Sequence, residues 1–130
     1  MSYHTMDIIN YKVLIADDSA FMRTLLSKIF QHTAGVGEIF QVNNGKEALK
    51  AYKVQKPDLV TMDIDMPEMD GIEAAKLIKQ YDPKAKIVMV SSSDKKNTRD
   101  EAEKIGVFGY IRKPFDRLEI KRIIENLSKE

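Results

Sequence analysis

Asp58-Leu59-Val60-Thr61-Met62-Asp63 is apolar on both faces of an extended chain, the pattern of a central strand in a parallel sheet that carries helices on either side. Pro57 breaks the chain just ahead of it. The stretch runs into an acidic loop that ends Met66-Pro67-Glu68-Met69-Asp70-Gly71. Beyond the loop Ala74, Leu77, Ile78 and Tyr81 stand at i, i+3, i+4 and i+7. That spacing predicts a helix with one apolar stripe, closed by Asp82-Pro83.

The alternation continues in both directions. Upstream, Lys12 to Ala16 is a short run containing Val13 and Ile15, followed by Asp17, Asp18 and Ser19, the last as an N-cap. A helix with the stripe Met22, Leu25, Leu26, Ile29 comes next, and Gly35 and Gly37 end the unit. Ile39 to Val42 predicts a second strand, Asn44-Gly45 a turn, and Lys46 to Val54 a short helix. Downstream, Lys86 to Val90 repeats the buried-strand pattern, with Ser91, Ser92 and Ser93 directly after it. Asp94 to Ile105 is polar, with only Thr98, Ala102 and Ile105 as a thin stripe, and predicts a weakly held helix. Gly109 to Lys113 is a last strand ended by Pro114, and Ile120, Ile123, Ile124 and Leu127 stripe the closing helix. Five strand–helix units predict an α/β domain with a parallel sheet wrapped by helices.

Composition narrows the classes. A chain of 130 residues holds one domain, and no linker, repeat or low-complexity tract divides it. With 21 Lys and Arg against 20 Asp and Glu the net charge is +1, so no basic field for nucleic acid is present. The absence of cysteine excludes a disulfide scaffold, a thiol nucleophile and a zinc–cysteine site. No apolar run approaches the ~20 residues of a membrane span, and the first eleven residues lack the pattern of a secretion signal. The expectation is a cytoplasmic monomer without nucleic-acid or membrane partners.

In an open parallel sheet, functional groups gather at the carboxyl ends of the strands. Strand one delivers Asp17 and Asp18 there, strand three Asp63, strand four Ser91 and strand five Lys113. Three converging carboxylates repel one another unless a positive group sits among them, and a hard divalent cation suits oxygen ligands of this kind. Lys113 adds a point charge for a phosphate and Ser91 a hydroxyl donor. Taken together, these residues suit phosphoryl transfer. Each alone has a plainer reading: an N-cap at Asp18-Ser19, a loop cap at Asp63, a solvated lysine before proline.

Asp17-Asp18-Ser19, Met22-Arg23, Asp63 with Met66-Pro67-x-Met69-Asp70-Gly71, Ser91 after a β-branched strand, and Gly109-Tyr110-Ile111-Arg112-Lys113-Pro114-Phe115 occur in one order along the chain. In these five motifs, over roughly residues 12 to 128, the sequence resembles response-regulator receiver domains, in particular stand-alone ones of the CheY chemotaxis type. The resemblance implies a flavodoxin-like, doubly wound fold: a five-stranded parallel sheet of order 2-1-3-4-5 with five helices. It makes residues 12–130 the receiver domain and residues 1–11 an N-terminal extension. It makes Asp63 the phosphoacceptor, with Ser91 hydrogen-bonding the phosphoryl group, Lys113 pairing with it, and Tyr110 changing rotamer on activation. Mg2+ would be held by Asp18 directly, Asp17 through water, Asp63, and the backbone carbonyl of Asp65. The implied phosphodonor is a histidine kinase. The implied output is docking on a downstream protein, a flagellar motor switch or a relay protein, with a phosphatase as a further partner. Ser92 departs from the alanine many receivers carry, and Asp65 and Ser93 lie where the family varies the lifetime of the phosphate.

A phosphorelay intermediate is the alternative role within that class. Asp63-Ile64-Asp65 also resembles the D-x-D nucleophile of haloacid-dehalogenase-type phosphatases. That family puts D-x-D first and its acidic pair after the lysine, whereas Asp17-Asp18 come first here. The expectation is a protein that catalyses its own phosphoryl uptake and loss, not an enzyme that turns over an external substrate. A calcium loop starting at Asp63 fails, with Pro67 and Glu68 where an acidic residue and glycine are required. His4 and His32 have no metal-ligand company, and His32 reads as a helix-end cap or cation.

Overall fold

The computed structural model describes residues 9–92 and 95–129. Readings placed on residues 1–8, His4 among them, and on Ser93 and Asp94 lie outside the described residues.

Five strands and five helices alternate: β1 (Tyr11–Ala16), α1 (Ala20–Gln31), β2 (Val36–Val42), α2 (Gly45–Gln55), β3 (Leu59–Asp63), α3 (Gly71–Tyr81), β4 (Ile87–Ser91), α4 (Lys96–Ile105), β5 (Gly109–Arg112) and α5 (Arg117–Leu127). The strands form one sheet of order β2-β1-β3-β4-β5, and every neighbouring pair is parallel. This is the doubly wound arrangement expected above. β3 lies at its centre, and all five of its residues are buried, as its two-sided apolar pattern requires.

Strand periodicity divides the core into two. Leu14, Val60, Met62, Ile87 and Met89 face α2, α3 and α4, where they meet Ala48, Tyr52, Ala74, Ala75, Ile78 and Ala102. Val13, Ile15, Leu59, Val88 and Val90 face α1 and α5, against Leu26, Phe30, Ile120, Ile123 and Ile124. Each inward side chain of these lengths contributes roughly 1.5–3 kcal/mol by leaving water.

Four helices start on a side-chain cap. Met22 N donates to Ser19 Oγ (3.2 Å), Glu47 N to Asn44 Oδ1 (2.8 Å) and Glu73 N to Asp70 Oδ1 (2.9 Å), while Asp116 and Glu119 cap α5 reciprocally. α4 has no such cap at Lys95 and buries only Ala102, in line with a weakly held helix. His32 caps the end of α1, its ring Nδ1 lying 2.8 Å from the Lys28 carbonyl.

Several boundaries and stripe positions differ from the sequence expectation. β2 begins at Val36, not Ile39, and includes Gly37. An edge strand needs no apolar alternation, and the pairing jumps from Tyr11↔Val36 to Val13↔Ile39, so one extra residue is accommodated as a bulge. Asn44-Gly45 caps and opens α2 and is not a free turn. On α1 the buried stripe is Leu26, Ile29 and Phe30, leaving Leu25 at its margin, 37% exposed. On α3 it centres on Ala74, Ala75 and Ile78, leaving Tyr81 49% exposed. Tyr81 instead stands edge-on to Tyr52, with ring centroids 6.4 Å apart, under the Lys53 ammonium. A stripe read at i, i+3, i+4, i+7 fixes a helix but leaves its rotation open by a residue.

The Tyr52 hydroxyl donates to Asp82 Oδ2 at 2.7 Å and ties α2 to the end of α3. Thr61 has no such partner. Its hydroxyl, between Ile15 and Val88 in the sheet, finds no hydrogen bond among the described residues. Thr61→Val is therefore expected to raise the urea midpoint, by about 1 kcal/mol of stability, because it removes a desolvated hydroxyl and keeps the branched shape.

Candidate functional site

Because all strands run the same way, the carboxyl ends of β1, β3, β4 and β5 meet at one edge of the sheet. Ala16 pairs with Met62 across β1 and β3, so the next residues, Asp17 and Asp63, stand side by side. Asp17 is 1% exposed and Asp63 7%. Asp18 is exposed, and one carboxylate oxygen from each of Asp17, Asp18 and Asp63 can be chosen so that all three lie within 4.8 Å of one another.

Lys113 follows β5 and reaches across the end of β4 into this cluster. Its Nζ lies 3.0 Å from Asp17 Oδ2 and 3.5 Å from Asp63 Oδ1. Its backbone N–H donates to the Ser91 carbonyl at 2.7 Å, which fixes where the lysine leaves the sheet, and the Lys113–Pro114 peptide is cis. Asp17 Oδ1 accepts from Ser19 N at 2.9 Å, so the N-cap residue of α1 also orients the buried carboxylate. Ser91 is fully buried at the last position of β4, one residue beyond the Asp63↔Val90 pair.

The loop after Asp63 is held by two close backbone approaches. Gly71 N donates to the Ile64 carbonyl at 2.7 Å, and a Cβ on Gly71 would strike the Asp63 carbonyl. Only glycine lets α3 begin against the end of β3. Between them Met69 N donates to the Pro67 carbonyl at 2.7 Å around Glu68, which takes a left-handed φ of 67°. The Asp65 side chain is exposed in this loop and stands apart from the three grouped carboxylates. Only its backbone carbonyl was expected to serve.

The structure therefore brings together Asp17, Asp18, Asp63 and Lys113, with Ser91 at the adjoining strand end. Tyr110 lies on β5 beside Met89, half-buried against the α2–α3–α4 side of the core. The Arg99 guanidinium of α4 stands 4.8 Å from its ring centroid. Sequence reading passed over that α4–β5 contact and the bond from Arg23 Nη1 to the Asp17 carbonyl, at 2.7 Å. The Met22-Arg23 motif marks the second; no spacing rule marks the first.

Burial and the neighbouring Asp17 carboxylate push Asp63 up from the ordinary 3.8 to about 6, against the pull of Lys113. A group of oxygen donors at this separation, one end open to solvent and short of positive charge, fits a hard divalent cation.

A family model described as the response regulator receiver domain matches residues 13–125. The chain is 46% identical over 118 residues to the chemotaxis protein CheY of Thermotoga maritima, covering 91% of this chain and 95% of that protein. It is 41% identical to CheY of Bacillus subtilis, with 92% and 96% covered. A chain in the crystal structure of the CheX–CheY–BeF3–Mg2+ complex from Borrelia burgdorferi superposes with a TM-score of 0.86 at 34% identity, covering 92% of this chain and 90% of that one.

The raised Asp63 value has a consequence for folding. Below pH 4 the carboxyl is protonated folded or unfolded; between about 4 and 6 the unfolded chain ionises first, so stability falls as pH rises and stays lowered above 6. In EDTA at pH 7, Asp63→Asn is expected to be more stable than the parent by about 3 kcal/mol, and to lose that advantage below pH 4. Urea titrations across this range check it; an advantage independent of pH would contradict it.

Proposed function

The chain belongs to the response regulator receiver domain family, and on that premise we propose that Asp63 is the residue phosphorylated, by transfer from a phosphohistidine of a histidine kinase. The observation that carries the assignment is the Lys113 ammonium held between the buried carboxylates of Asp17 and Asp63 at the end of the sheet. Similarity to chemotaxis proteins CheY over some nine-tenths of the chain supports an output in chemotaxis, exerted by docking on a downstream protein.

A carboxylate oxygen of Asp63 attacks phosphorus, and the P–N bond of the phosphohistidine breaks. Its electron pair leaves with the imidazole, which takes up a proton from water, and Asp63 is left as an acyl phosphate. Lys113, already 3.5 Å from Asp63, neutralises charge gathering on the phosphoryl oxygens, and the Ser91 hydroxyl donates to one of them. Mg2+, held by the carboxylates of Asp18, Asp63 and, through water, Asp17, with the Asp65 carbonyl, would supply further neutralisation of that charge. The new group draws Ser91 toward Asp63, and Tyr110 turns into the space released. That motion is transmitted to α4 through the contact between Tyr110 and Arg99. Residues 12–130 make up this switch and residues 1–11 extend it. The protein works in the cytoplasm on its own aspartate and turns over no external substrate. No helix among the described residues is long and apolar enough to cross a membrane.

Incubation with acetyl phosphate and Mg2+ is expected to add one phosphoryl group by intact mass, removable by hydroxylamine, and absent in Asp63→Asn or in EDTA. Lys113→Ala is expected to weaken the coupling of phosphorylation to partner capture more than it disturbs the fold. Labelling that persists in Asp63→Asn would overturn the assignment.

A further inference from the structure

Arg23 belongs to a motif that the phosphoryl-transfer reading leaves without a task. It sits in the first turn of α1, where its backbone N–H donates to the Ser19 carbonyl at 3.0 Å. Its guanidinium turns back over the preceding loop and donates from Nη1 to the Asp17 backbone carbonyl at 2.7 Å, the length of a strong charge-assisted bond.

The other groups of Asp17 are also held. Its N–H donates to the Val42 carbonyl at 3.1 Å, and its two carboxylate oxygens accept from Ser19 and Lys113. Asp18 is the opposite case: it is exposed, and its carboxylate has no hydrogen bond or ion pair among the described residues. What aims the Asp18 side chain is therefore the backbone it leaves from. The peptide unit between Asp17 and Asp18 is planar, so a fixed direction for the Asp17 C=O fixes the Asp18 N–H and Cα as well.

We infer that Arg23 is a positioning residue: by clamping the Asp17 carbonyl it presents the otherwise untethered Asp18 carboxylate to a divalent cation. The inference rests on the metal-binding part of the reading above and extends it to a residue outside the donor set. Outer partners that orient metal ligands typically account for 10- to 100-fold in metal affinity. A guanidinium beside a cation site also opposes a second cation by simple Coulomb repulsion. The two effects have opposite signs. If Arg23 acts only as a nearby charge, its removal tightens Mg2+ binding; if it acts by positioning, removal weakens binding.

The test is Mg2+ titration by isothermal calorimetry of the metal-free parent, Arg23→Met and Arg23→Lys, with urea unfolding in EDTA to establish that each is folded. Arg23→Met is expected to bind Mg2+ about 10-fold more weakly. Arg23→Lys, which keeps the charge and one donor but loses the planar fork, is expected to recover part of that loss. In acetyl phosphate labelling the half-saturating Mg2+ concentration rises in Arg23→Met while the plateau at high Mg2+ stays near the parent's. Affinity equal to or tighter than the parent's in folded Arg23→Met overturns the inference, and so does a Lys variant as weak as the Met one. Should Arg23→Met not fold, Arg23→Gln replaces it as the neutral variant with the same expected loss. A parent that binds Mg2+ but takes no label at Asp63 would refute the phosphoacceptor assignment and leave the calorimetric result on Arg23 standing. A parent that does not bind Mg2+ would overturn the inference together with the metal site.

Discussion

Two carboxylates almost wholly withdrawn from water face each other at the end of the sheet, and the Lys113 ammonium between them is what makes that tolerable. Unpaired buried charges are driven to neutralise, and like charges at close range drive each other the same way. Asp63 shows the residue of this conflict, with burial and Asp17 outweighing Lys113. Much of the surrounding architecture serves to hold these groups in place. The parallel register of β1 and β3 sets Asp17 beside Asp63, the N–H of Lys113 is tied to β4, and the loop beyond Asp63 is closed by the approach of Gly71. Stability is lowered locally by concentrating negative charge in a group of oxygens that a divalent cation fits.

The helices differ in how firmly they are attached, and the difference follows the site. α3, which carries the far side of the acidic loop, is capped by Asp70 and buries five of its residues. α4 has no side-chain cap and buries Ala102 alone. Few buried contacts and an uncapped start mark the segment with the lowest cost of local displacement. Among its contacts with the strand that leads to Lys113 is the Arg99 guanidinium over the Tyr110 ring. Of these two neighbouring helices on one face of the sheet, α4 is therefore the more easily displaced.

The order of β-branched runs and apolar stripes, and the residues just past each run, were readable directly because both depend on local periodicity and on the common direction of parallel strands. From these alone came the α/β class, five units, and the gathering of Asp17, Asp18, Asp63, Ser91 and Lys113 at one edge. The strand order came from family resemblance, since periodicity says which segments are strands and nothing about which are neighbours. Helix rotation was legible to about one residue, which is why Leu25 and Tyr81 were placed in the core and Phe30 was not. β2 was cut short because an edge strand carrying Gly37 and Glu38 needs no apolar alternation.

Tertiary structure alone decided which groups within the site hold which. That Lys113 bridges Asp17 and Asp63, that Arg23 clamps a backbone carbonyl, and that Arg99 covers Tyr110 all depend on side chains meeting across 6 to 96 positions of the sequence, at distances of a few ångströms. Local periodicity does not encode such meetings, even where a motif such as Met22-Arg23 marks the residue concerned, because they result from the packing of whole elements. The sequence determined the residue types and the sheet edge at which they collect; the packed fold determined their pairing, burial and charge balance, on which the chemistry depends.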